Sequence, residues 1–589
     1  LTTINCQATG SKLQGTQISS DKFTGYQFKA PVMVTSINFP SDPSSYFLGI
    51  FQGANEESFI DAIPIYIFTK ETSEKSITIK TTQSFKYIRF VPPSGKPKVS
   101  DFEVYGEEKE STEGDGFFQP TNLPLLVINT ANSQELPAND KETTLECNMV
   151  VIKDGKKNAE GKGNVKHRGN STLNAAKKSY RIKFDEKTQL LSLPAKAKKW
   201  VLFANHYDKT LLRNRVGFKL SSLFGMKYTP QCEYVDLILN GDFKGNYLLC
   251  DQIQVGKGRV ELTELDSSSN SEPEISGGYL IEGDAFAEKE PSYFKTTKDI
   301  LFAIKYPSED DITPQQKEYI QKKFDTVIND IYSDKLDGLD LESFSKYFLI
   351  EEFGANIDSI WSSFYLTKER GDDKIYVGPV WDMDLAFDND IFLYPTNKKD
   401  NFAFKYQYSN GGMQDLVMKI LSNEDCLGKI KKQWDHLTNN AFYKEDLLSY
   451  LDEQVKYLDE SQKLNFKRWD VLSKKEFLQP DARGSYEKEV NYLKDFISER
   501  MKVFTDILKS ANKESVNAEV QGGWNNGGGM GGMGGMGGMW GGGQGGWPGQ
   551  GGQGGWGGWG GFGGNGGNGG FNFLEYLVDE IMEIISNVY

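Results

Sequence analysis

Cysteine and histidine are scarce in this sequence of 589 residues, which has five cysteines and three histidines. The cysteines form no C-x-x-C pair and no Cys/His spacing of the kind that binds zinc, which excludes a domain organised around zinc. Their odd number leaves at least one thiol unpaired in a monomer. Apolar runs are also short, and none could span a bilayer, so we predict no transmembrane segment. The cysteines are Cys6, Cys147, Cys232, Cys250 and Cys426.

Basic charge is in deficit, because the formal net charge is -15 at pH 7. With no basic patch evident, nucleic acid is excluded as the general partner. The hydrophobic fraction of 38% is ordinary for globular protein, and the length predicts two to four domains. The sequence begins at Leu1 and not at Met, which favours a cleaved secretion signal or a trimmed chain. We therefore expect an extracellular or cell-surface protein.

Residues 1–106 have no helical period and contain short runs of β-forming residues between Gly, Pro, Asp and Ser breaks. This spacing predicts an all-β sandwich. The runs at 86–91 and 99–106 resemble the last strands of discoidin-like domains, which implies a glycan or surface ligand bound by loops. A purely structural sandwich is the alternative. The predicted strands are 25–29, 32–37, 63–68, 76–80, 87–91 and 101–105.

Two low-complexity stretches separate the predicted domains. Residues 107–121 form a linker rich in Glu, Gly, Ser and Thr. Residues 511–570 are so rich in glycine that burial cannot offset the entropy of ordering them, so we predict disorder. Residues 571–589 recover the period of an amphipathic helix, which we expect to dock on the body or on an assembly partner.

Residues 122–510 read as a β-rich half followed by a helical half. Alternation in 177–184 predicts a strand with Tyr180, Ile182 and Phe184 buried. A helix is predicted over 211–224, with Asp208 or Thr210 as N-cap and Gly225 after its end. Further predictions are a hairpin over 234–250 with Asn-Gly at its turn, helices at 314–332 and 341–354, strands at 363–367 and 375–380, and a mostly helical stretch from 414 to 510.

Two patterns carry chemistry. A strand at 375–380 ends at Gly-Pro and delivers Asp382 and Asp384, two hard oxygen ligands that suit Mg²⁺ or Mn²⁺. A solvated acidic turn is the alternative, and no glycosidase pattern surrounds the pair. The turn at 168–172 offers Arg, Gly, Asn, Ser and Thr donors without bulk, as phosphate cradles do. An ordinary hairpin turn is the alternative there.

Six motifs, taken in order, resemble the CotH family, which is named after spore-coat protein H and consists of divergent protein-kinase-like enzymes. The resemblance covers residues 122–510. It implies an α+β atypical protein-kinase-like fold with a helical C-terminal part, ATP with Mg²⁺ or Mn²⁺ as cofactors, and phosphoryl transfer to Ser/Thr of surface or coat proteins. The motifs lie at 123–130, 168–172, 177–184, 211–214, 239–247 and 378–384.

The resemblance also implies roles for the catalytic and metal-binding residues. Asp358 would orient or deprotonate the acceptor hydroxyl. Asp382 would hold the metal with help from Asp384, and Ser363 occupies the position of a second metal ligand. Many relatives have asparagine at that position, so one metal is expected to be lost or held through water.

The nucleotide-binding residues follow from the same resemblance. Arg168, Asn170 and Ser171 would form the loop over the phosphates. Lys178 or Lys183 would be the phosphate lysine, and Lys183 is preferred because it lies deeper in the strand. Residues 250–253 would contact adenine.

Two further features keep a second hypothesis open. No glutamate on the helix at 211–224 is placed to pair with the lysine, although Asp208 and Glu233 lie nearby. An N-glycosylation sequon, 170–172, lies inside the predicted phosphate loop. The alternative is therefore a catalytically weak or inactive kinase-like scaffold that acts in surface assembly, adhesion or a polysaccharide-degrading complex.

Overall fold

The structure is a computed structural model. The predicted Gly-rich segment, from residue 519 onward, and the predicted helix at 571–589 lie outside the described residues, as does Cys6. Among the described helices, none has both the length and the hydropathy needed to cross a bilayer. The described residues are 10–70, 74–111, 116–391, 393–396, 401–406, 409–441, 444–476 and 479–518.

The N-terminal domain is built around one long strand, β3. Residues 24–27 of β3 pair with β2 and β7, whereas residues 32–38 pair with β6 and β8. Phe51, Phe90 and Ile37 lie in one apolar core, and the region is rich in β-strands as predicted. The strands are β1 (Ser11–Lys12), β2 (Thr16–Ser19), β3 (Thr24–Asn38), β4 (Ile50–Ala54), β5 (Ile63–Ile67), β6 (Ser76–Thr78), β7 (Phe85–Val91) and β8 (Glu103–Glu108).

Two details of that domain differ from the prediction. The runs at 25–29 and 32–37 are one strand, β3, because an irregularity between Gln27 and Val32 shifts the pairing without ending the strand. Strand β4 was not predicted, since its sequence, Ile-Phe-Gln-Gly-Ala, has no polar alternation. All five of its residues are buried, which explains that pattern.

The predicted linker is partly ordered against the next domain. The backbone N–H of Phe117 donates to the Gly155 carbonyl at 3.0 Å. Across the same boundary, Ile50 packs with Val127 in one apolar cluster. The side chain of Asn129 also donates to the Ala62 carbonyl at 2.7 Å. The prediction of a solvated linker is therefore wrong for its C-terminal part.

A closed barrel of seven strands follows, in the order β10-β11-β12-β13-β15-β14-β9. Tyr180, Ile182 and Phe184 point into its core, as the alternation predicts. Asn240 and Gly241 both have positive φ at the hairpin turn, which confirms the Asn-Gly prediction. The elements are β9 (Leu125–Thr130), β10 (Leu145–Lys153), β11 (Lys156–Arg168), β12 (Ser179–Gln189), β13 (Lys196–Phe203), α1 (Arg213–Leu223), β14 (Cys232–Leu239) and β15 (Asp242–Asp251).

The rest of the described chain is a five-stranded sheet, β17-β18-β16-β19-β20, covered by helices. It matches the prediction of a helix-rich second half, while the kinase-like character of the whole stays a prediction. The elements are β16 (Tyr279–Gly283), β17 (Tyr293–Lys295), β18 (Leu301–Tyr306), α2 (Pro314–Tyr332), α3 (Leu341–Gly354), β19 (Phe364–Lys368), β20 (Ile375–Val377), α4 (Met413–Leu421), α5 (Glu424–His436), α6 (Lys444–Tyr457), α7 (Asp459–Arg468), α8 (Tyr486–Ser510) and α9 (Lys513–Asn517).

Local sequence signals explain the two best-predicted helices. Thr313 and Gln316 form a capping box around Pro314 at the start of α2. The Asp340 carboxylate caps α3 by accepting from the Ser343 N–H at 2.8 Å. The helical body also continues past the predicted boundary at 510, since α9 follows and its Val516 is fully buried.

Helix α7 is fastened to the barrel by a buried lysine. The Lys177 ammonium donates to the Ala204 carbonyl at 2.7 Å, to Asn465 Oδ1 at 2.8 Å, and to the Asn246 carbonyl. It is 1% exposed, and burial holds its pKa well below the usual value. This side chain therefore joins barrel and helical region, and it is not available to a ligand.

We expect Lys177→Met to destabilise the protein by about 2–4 kcal/mol, because three buried acceptors lose their donor. Urea unfolding of the purified variant would measure the loss. Lys187→Met is the matched control, since Lys187 lies exposed on β12, the strand that follows Lys177. Equal stability of the two variants would contradict this role of Lys177.

Candidate active site

Three aspartates from two connections lie close enough to influence one another's pKa. Asp358 follows α3, and Asp382 and Asp384 follow β20. Burial, and then the neighbouring charge of Asp382, raise the pKa of Asp358 to about 7. Burial, and then the charges of Asp382 and Asp358, raise the pKa of Asp384 well above its usual value. Each of the three residues is nevertheless partly exposed. The three carboxylates therefore form one electrostatic centre, reachable from outside.

The loop that carries the two later aspartates is held by asparagines. Asp382 has φ +60°, which is uncommon for a residue with a side chain and occurs at functional sites. Asn214 on α1 accepts the Met383 N–H at 2.8 Å. Asn389 donates to the Asp384 carbonyl at 2.7 Å. Sequence reasoning missed both asparagines as positioning residues, although Asn214 stands inside the motif at 211–214.

Strand β16 brings two more carboxylates that sequence reasoning also missed. Glu282 raises the pKa of Asp382, and Asp284 raises that of Asp358. Burial, and then the charge of Glu282, raise the pKa of Asp284 to about 6. Lys305 on β18 pairs with Glu282 at 3.1 Å. The sequence Glu-Gly-Asp at the end of a strand could have indicated these two carboxylates, because it repeats the spacing of Asp382 and Asp384.

Arg168 links the barrel to this centre. Its guanidinium lies over the rings of Phe203, at 5.2 Å, and Trp381, at 5.7 Å. Its charge is the main influence opposing the burial that raises the pKa of Asp382. The predicted role of Arg168 at the phosphate loop is thus compatible with its position, since it lies at the end of β11 and beside the aspartates.

Arg168 belongs to a basic row on the outer face of β11, β12 and β13. Burial, and then repulsion by Arg168, lower the pKa of Arg181. Burial, and then repulsion by Arg181, lower the pKa of Lys199. Cations held together against mutual repulsion favour an anionic ligand. The row comprises Lys166, Arg168, Arg181, Lys183 and Lys199, in which Lys166 pairs across the strands with Arg181 and Lys183 with Lys199.

Two of the other predicted nucleotide-binding residues, Asn170 and Lys178, have hydrogen-bond partners outside the three aspartates. Asn170 is exposed, and its Oδ1 accepts from Lys141 at 2.9 Å. Lys178 donates to Asn139 at 2.7 Å and to the Leu173 carbonyl at 2.5 Å, so its ammonium is already engaged. The side chain of Ser171 lies outside the described residues.

The preferred phosphate lysine, Lys183, is exposed at the end of the basic row. It is not among the charges that shift the pKa values of Asp358, Asp382 and Asp384. Arg168 is the barrel cation that shifts the pKa of Asp382. The structure therefore brings an arginine to the centre where the sequence suggested a lysine.

Neither acid considered as partner for that lysine is available to it. Asp208 is fully buried and pairs with Arg213 at 2.7 Å. It also accepts the Arg213 N–H at 2.7 Å, although the formal N-cap of α1 is Leu212. Glu233 pairs with Arg215 at 3.4 Å. Both acids therefore form ion pairs with arginines of α1.

Ser363, the predicted second metal position, lies in the turn that follows Asp358. Its φ is +59°, a conformation in which asparagine is common and serine is not. Within the same turn, the Ser362 N–H donates to the Asp358 carbonyl at 3.2 Å. The backbone conformation at this position is the one that asparagine, the residue of the CotH pattern, adopts readily. The residue present, however, is a serine.

The acidic centre fits a divalent ion only in part. Within the stretches that the structure describes, no group of three or more His, Cys, Asp or Glu side chains is placed to hold a metal. Mg²⁺, however, is usually bound by one or two carboxylates, with substrate phosphates and water completing its shell. Asp382 and Asp384 supply such a pair, and burial, more than any neighbouring charge, raises the pKa of both.

Glu351 on α3 predicts a pH dependence of stability. Burial, opposed by a hydrogen bond from Asn356 at 2.9 Å, raises its pKa to about 8. Its unfolded pKa is about 4.3. A raised pKa means that the stability this group contributes is full below pH about 4.3 and is lost as pH rises towards 8.

We therefore expect the unfolding free energy of the metal-free protein to fall between pH 5 and 8. The part that comes from Glu351 amounts to at most about 1.4 kcal/mol per pH unit. Glu351→Gln should remove that part, whereas Glu309→Gln, at an exposed site, should not. Urea unfolding at stepped pH values measures it, and an unchanged slope in Glu351→Gln would contradict the assignment.

Comparison with known proteins finds a matching protein family for this chain. A family model described as CotH kinase protein matches residues 165–504, more than half of the chain. A search of curated proteins finds no match. Among solved structures, the chain is similar to CBM62 from Clostridium thermocellum Xyl5A, with 21% sequence identity and a TM-score of 0.15. That match covers 16% of this chain and 96% of the other.

Proposed function

This chain belongs to the CotH kinase protein family, and we propose that it is an atypical protein kinase. It would transfer the γ-phosphoryl group of ATP to Ser/Thr hydroxyls of protein substrates. The observation that carries the proposal is the meeting of Asp358 with Asp382 and Asp384 beside Arg168. A phosphotransferase needs a base for the acceptor, acids for a metal and cations for phosphates, and all three are adjacent here.

Asp358 is suited to act as the base. A pKa near 7 lets its carboxylate form at neutral pH and still take a proton from the acceptor hydroxyl. Asp382 and Asp384 would hold Mg²⁺ or Mn²⁺, which supplies positive charge to the β- and γ-phosphates when bound. The asparagines Asn214 and Asn389 keep the Asp382–Asp384 loop in place by binding its backbone.

The barrel face would bind the nucleotide. Val201 and Cys250 are partners across β13 and β15, and Cys250 is the first residue of the segment 250–253 that is predicted to contact adenine. Arg181 is the neighbour of Val201 on β12. We expect the base at this end of the barrel and the phosphates along the basic row. Arg168 and Arg181 therefore replace the predicted lysines in our assignment.

The place of action remains a prediction from the sequence. We propose an extracellular or cell-surface location, coat-like protein substrates and a glycan ligand of the N-terminal domain. These three proposals are consistent with one another, since a glycan-binding domain would hold the enzyme at a surface. The packing of Ile50 against Val127 supports a fixed arrangement of the two domains. A tail-bound assembly partner is proposed on the sequence alone.

A kinase-like scaffold is the second candidate, and one observation favours it. Asp208 and Glu233 are bound by arginines of α1, so neither orients a phosphate cation as active kinases require. Lys305 and Glu282 form a lysine–glutamate pair at 3.1 Å. In an active enzyme, this pair would take the place of the missing lysine–acid pair.

Nucleotide binding tests the proposal. We expect titration calorimetry with ATP to show binding that depends on Mg²⁺ or Mn²⁺ and is lost in Asp382→Asn. Asp310→Asn, at an exposed loop, should bind as the unchanged protein does. Absence of metal-dependent binding in the unchanged protein would favour the scaffold.

Ser363→Asn should strengthen metal binding, because the backbone at φ +59° already suits asparagine and the amide oxygen is the better ligand. We expect an affinity gain for Mn²⁺ in the presence of ATP of about 5-fold, the equivalent of about 1 kcal/mol. Ser363→Ala at the same position should give no gain. Paramagnetic titration of free Mn²⁺ measures both, and equal affinities of the two variants would contradict the prediction.

A further inference from the structure

Two cysteines stand opposite each other on neighbouring strands at the end of the barrel. Cys232 of β14 and Cys250 of β15 are Cα partners in an antiparallel pair. At the adjacent position, the Asp251 N–H donates to the Gln231 carbonyl at 2.9 Å, which makes that pair the hydrogen-bonded one. Because the two kinds of pair alternate, Cys232 and Cys250 form a non-hydrogen-bonded pair, the kind in which side chains lie closest.

This register meets the spatial condition for a disulfide. Cα atoms in a non-hydrogen-bonded pair are separated by about 4.5 Å. Disulfides occur at Cα separations of about 4.4–6.8 Å. Directly opposed residues also project to the same face of the sheet, and the charge of either thiolate would act on the other. Both thiols are free in the structure.

The two thiols differ in access, which gives an oxidant a point of entry. Cys250 is completely buried, whereas Cys232 keeps part of its surface exposed. The other two described cysteines, Cys147 and Cys426, are also buried. Cys147 lies on β10, and Cys426 lies on α5, so neither shares this strand pair.

We propose that Cys232 and Cys250 are a covalent modification site at which a small-molecule disulfide, such as glutathione disulfide, closes an intrachain bridge between β14 and β15. The Cys232 sulfur attacks the oxidant and releases one glutathione thiol. The Cys250 sulfur then displaces the second glutathione from the mixed disulfide. The protein loses two protons and two electrons, and the oxidant becomes two thiols.

The disulfide would form slowly and would join β14 to β15 covalently. Burial raises the pKa of Cys232 to about 12, so the reactive thiolate is rare at neutral pH and exchange takes long. The bond closes the loop that contains the Asn-Gly hairpin turn. It also fixes the end of β15, from which the chain enters the segment 251–253.

Thiol mapping tests the proposal. The full chain is equilibrated with glutathione disulfide, acid-quenched, denatured, alkylated without reduction, digested and analysed by mass spectrometry. We expect a peptide pair that joins Cys232 to Cys250 and disappears after reduction. The pair should persist in Cys426→Ser and be absent from Cys232→Ser. Alkylation of both cysteines in the unchanged chain, or bridges to other cysteines, would overturn the proposal.

A second readout does not depend on digestion. Oxidation should raise the melting temperature of the unchanged chain by about 5 °C, and dithiothreitol should reverse the rise. Cys232→Ser, which the reduced structure tolerates at a partly exposed position, should show no rise under the same treatment. Equal melting temperatures of the oxidised and the reduced chain would contradict the proposed disulfide.

Discussion

Asp358→Asn is expected to lower the rate of phosphoryl transfer by about 10²–10⁴-fold. The amide keeps the shape of the side chain but cannot take the proton of the acceptor hydroxyl. Because Asp382 and Asp384 remain, metal-dependent ATP binding should stay close to that of the unchanged protein. Single-turnover kinetics with γ-labelled ATP measure the rate, and calorimetry measures the binding.

The pH profile separates a base from a structural residue. With the pKa of Asp358 near 7, transfer by the unchanged protein should rise through that range, and the residual rate of Asp358→Asn should not. Asp310→Asn serves as the control for the exchange of a carboxylate for an amide. A variant that retains the full rate, or that loses ATP binding together with the rate, would contradict the assignment of Asp358 as the base.

Arg500→Met is expected to destabilise the protein by about 3–5 kcal/mol, since it leaves a buried carboxylate without its partner. Arg500 on α8 is fully buried and pairs with Glu352 on α3 at 3.1 Å. Glu352 also accepts the N–H groups of Ala403 and Phe404. Burial, opposed by the charge of Arg500, raises its pKa to about 7. The pair therefore holds α3, the helix that ends just before Asp358, against α8.

A double variant distinguishes the ion pair from packing. Arg500→Met with Glu352→Leu should recover much of the loss, because replacing both partners leaves no unpaired charge. Lys502→Met is the control on the same helix, since Lys502 is largely exposed and should change stability little. Urea unfolding measures all variants. Equal loss in the single and double variants would assign the effect to packing.

The elements with local signals could be predicted from the sequence. Helices α2 and α3 have their predicted ends because Thr313 and Asp340 cap them within the chain itself. Asp358 and Asp382 could be named for the same reason, since each follows a recognisable helix or strand. The roles that the family resemblance implies for them stay predictions.

The rest of the site depends on strand register, which the sequence does not encode locally. Arg181 and Lys183 alternate on one face of β12, and only the pairing with β11 and β13 decides which end approaches the aspartates. Glu282 and Lys305 come from strands far along the chain from the Asp382 loop. The buried Lys177 and the exposed Lys183 also look alike in sequence, because burial is set by the packing of α7.

Transfer of labelled phosphate is the most direct test of a kinase function. The purified chain, Asp358→Asn and Asp382→Asn are incubated with γ-labelled ATP and Mg²⁺ or Mn²⁺, and modified residues are located by mass spectrometry. We predict label on Ser/Thr with the unchanged chain, and label that accumulates at least about 100-fold more slowly with either variant. Absence of label together with absence of nucleotide binding, or equal label in all three proteins, would contradict the proposed function.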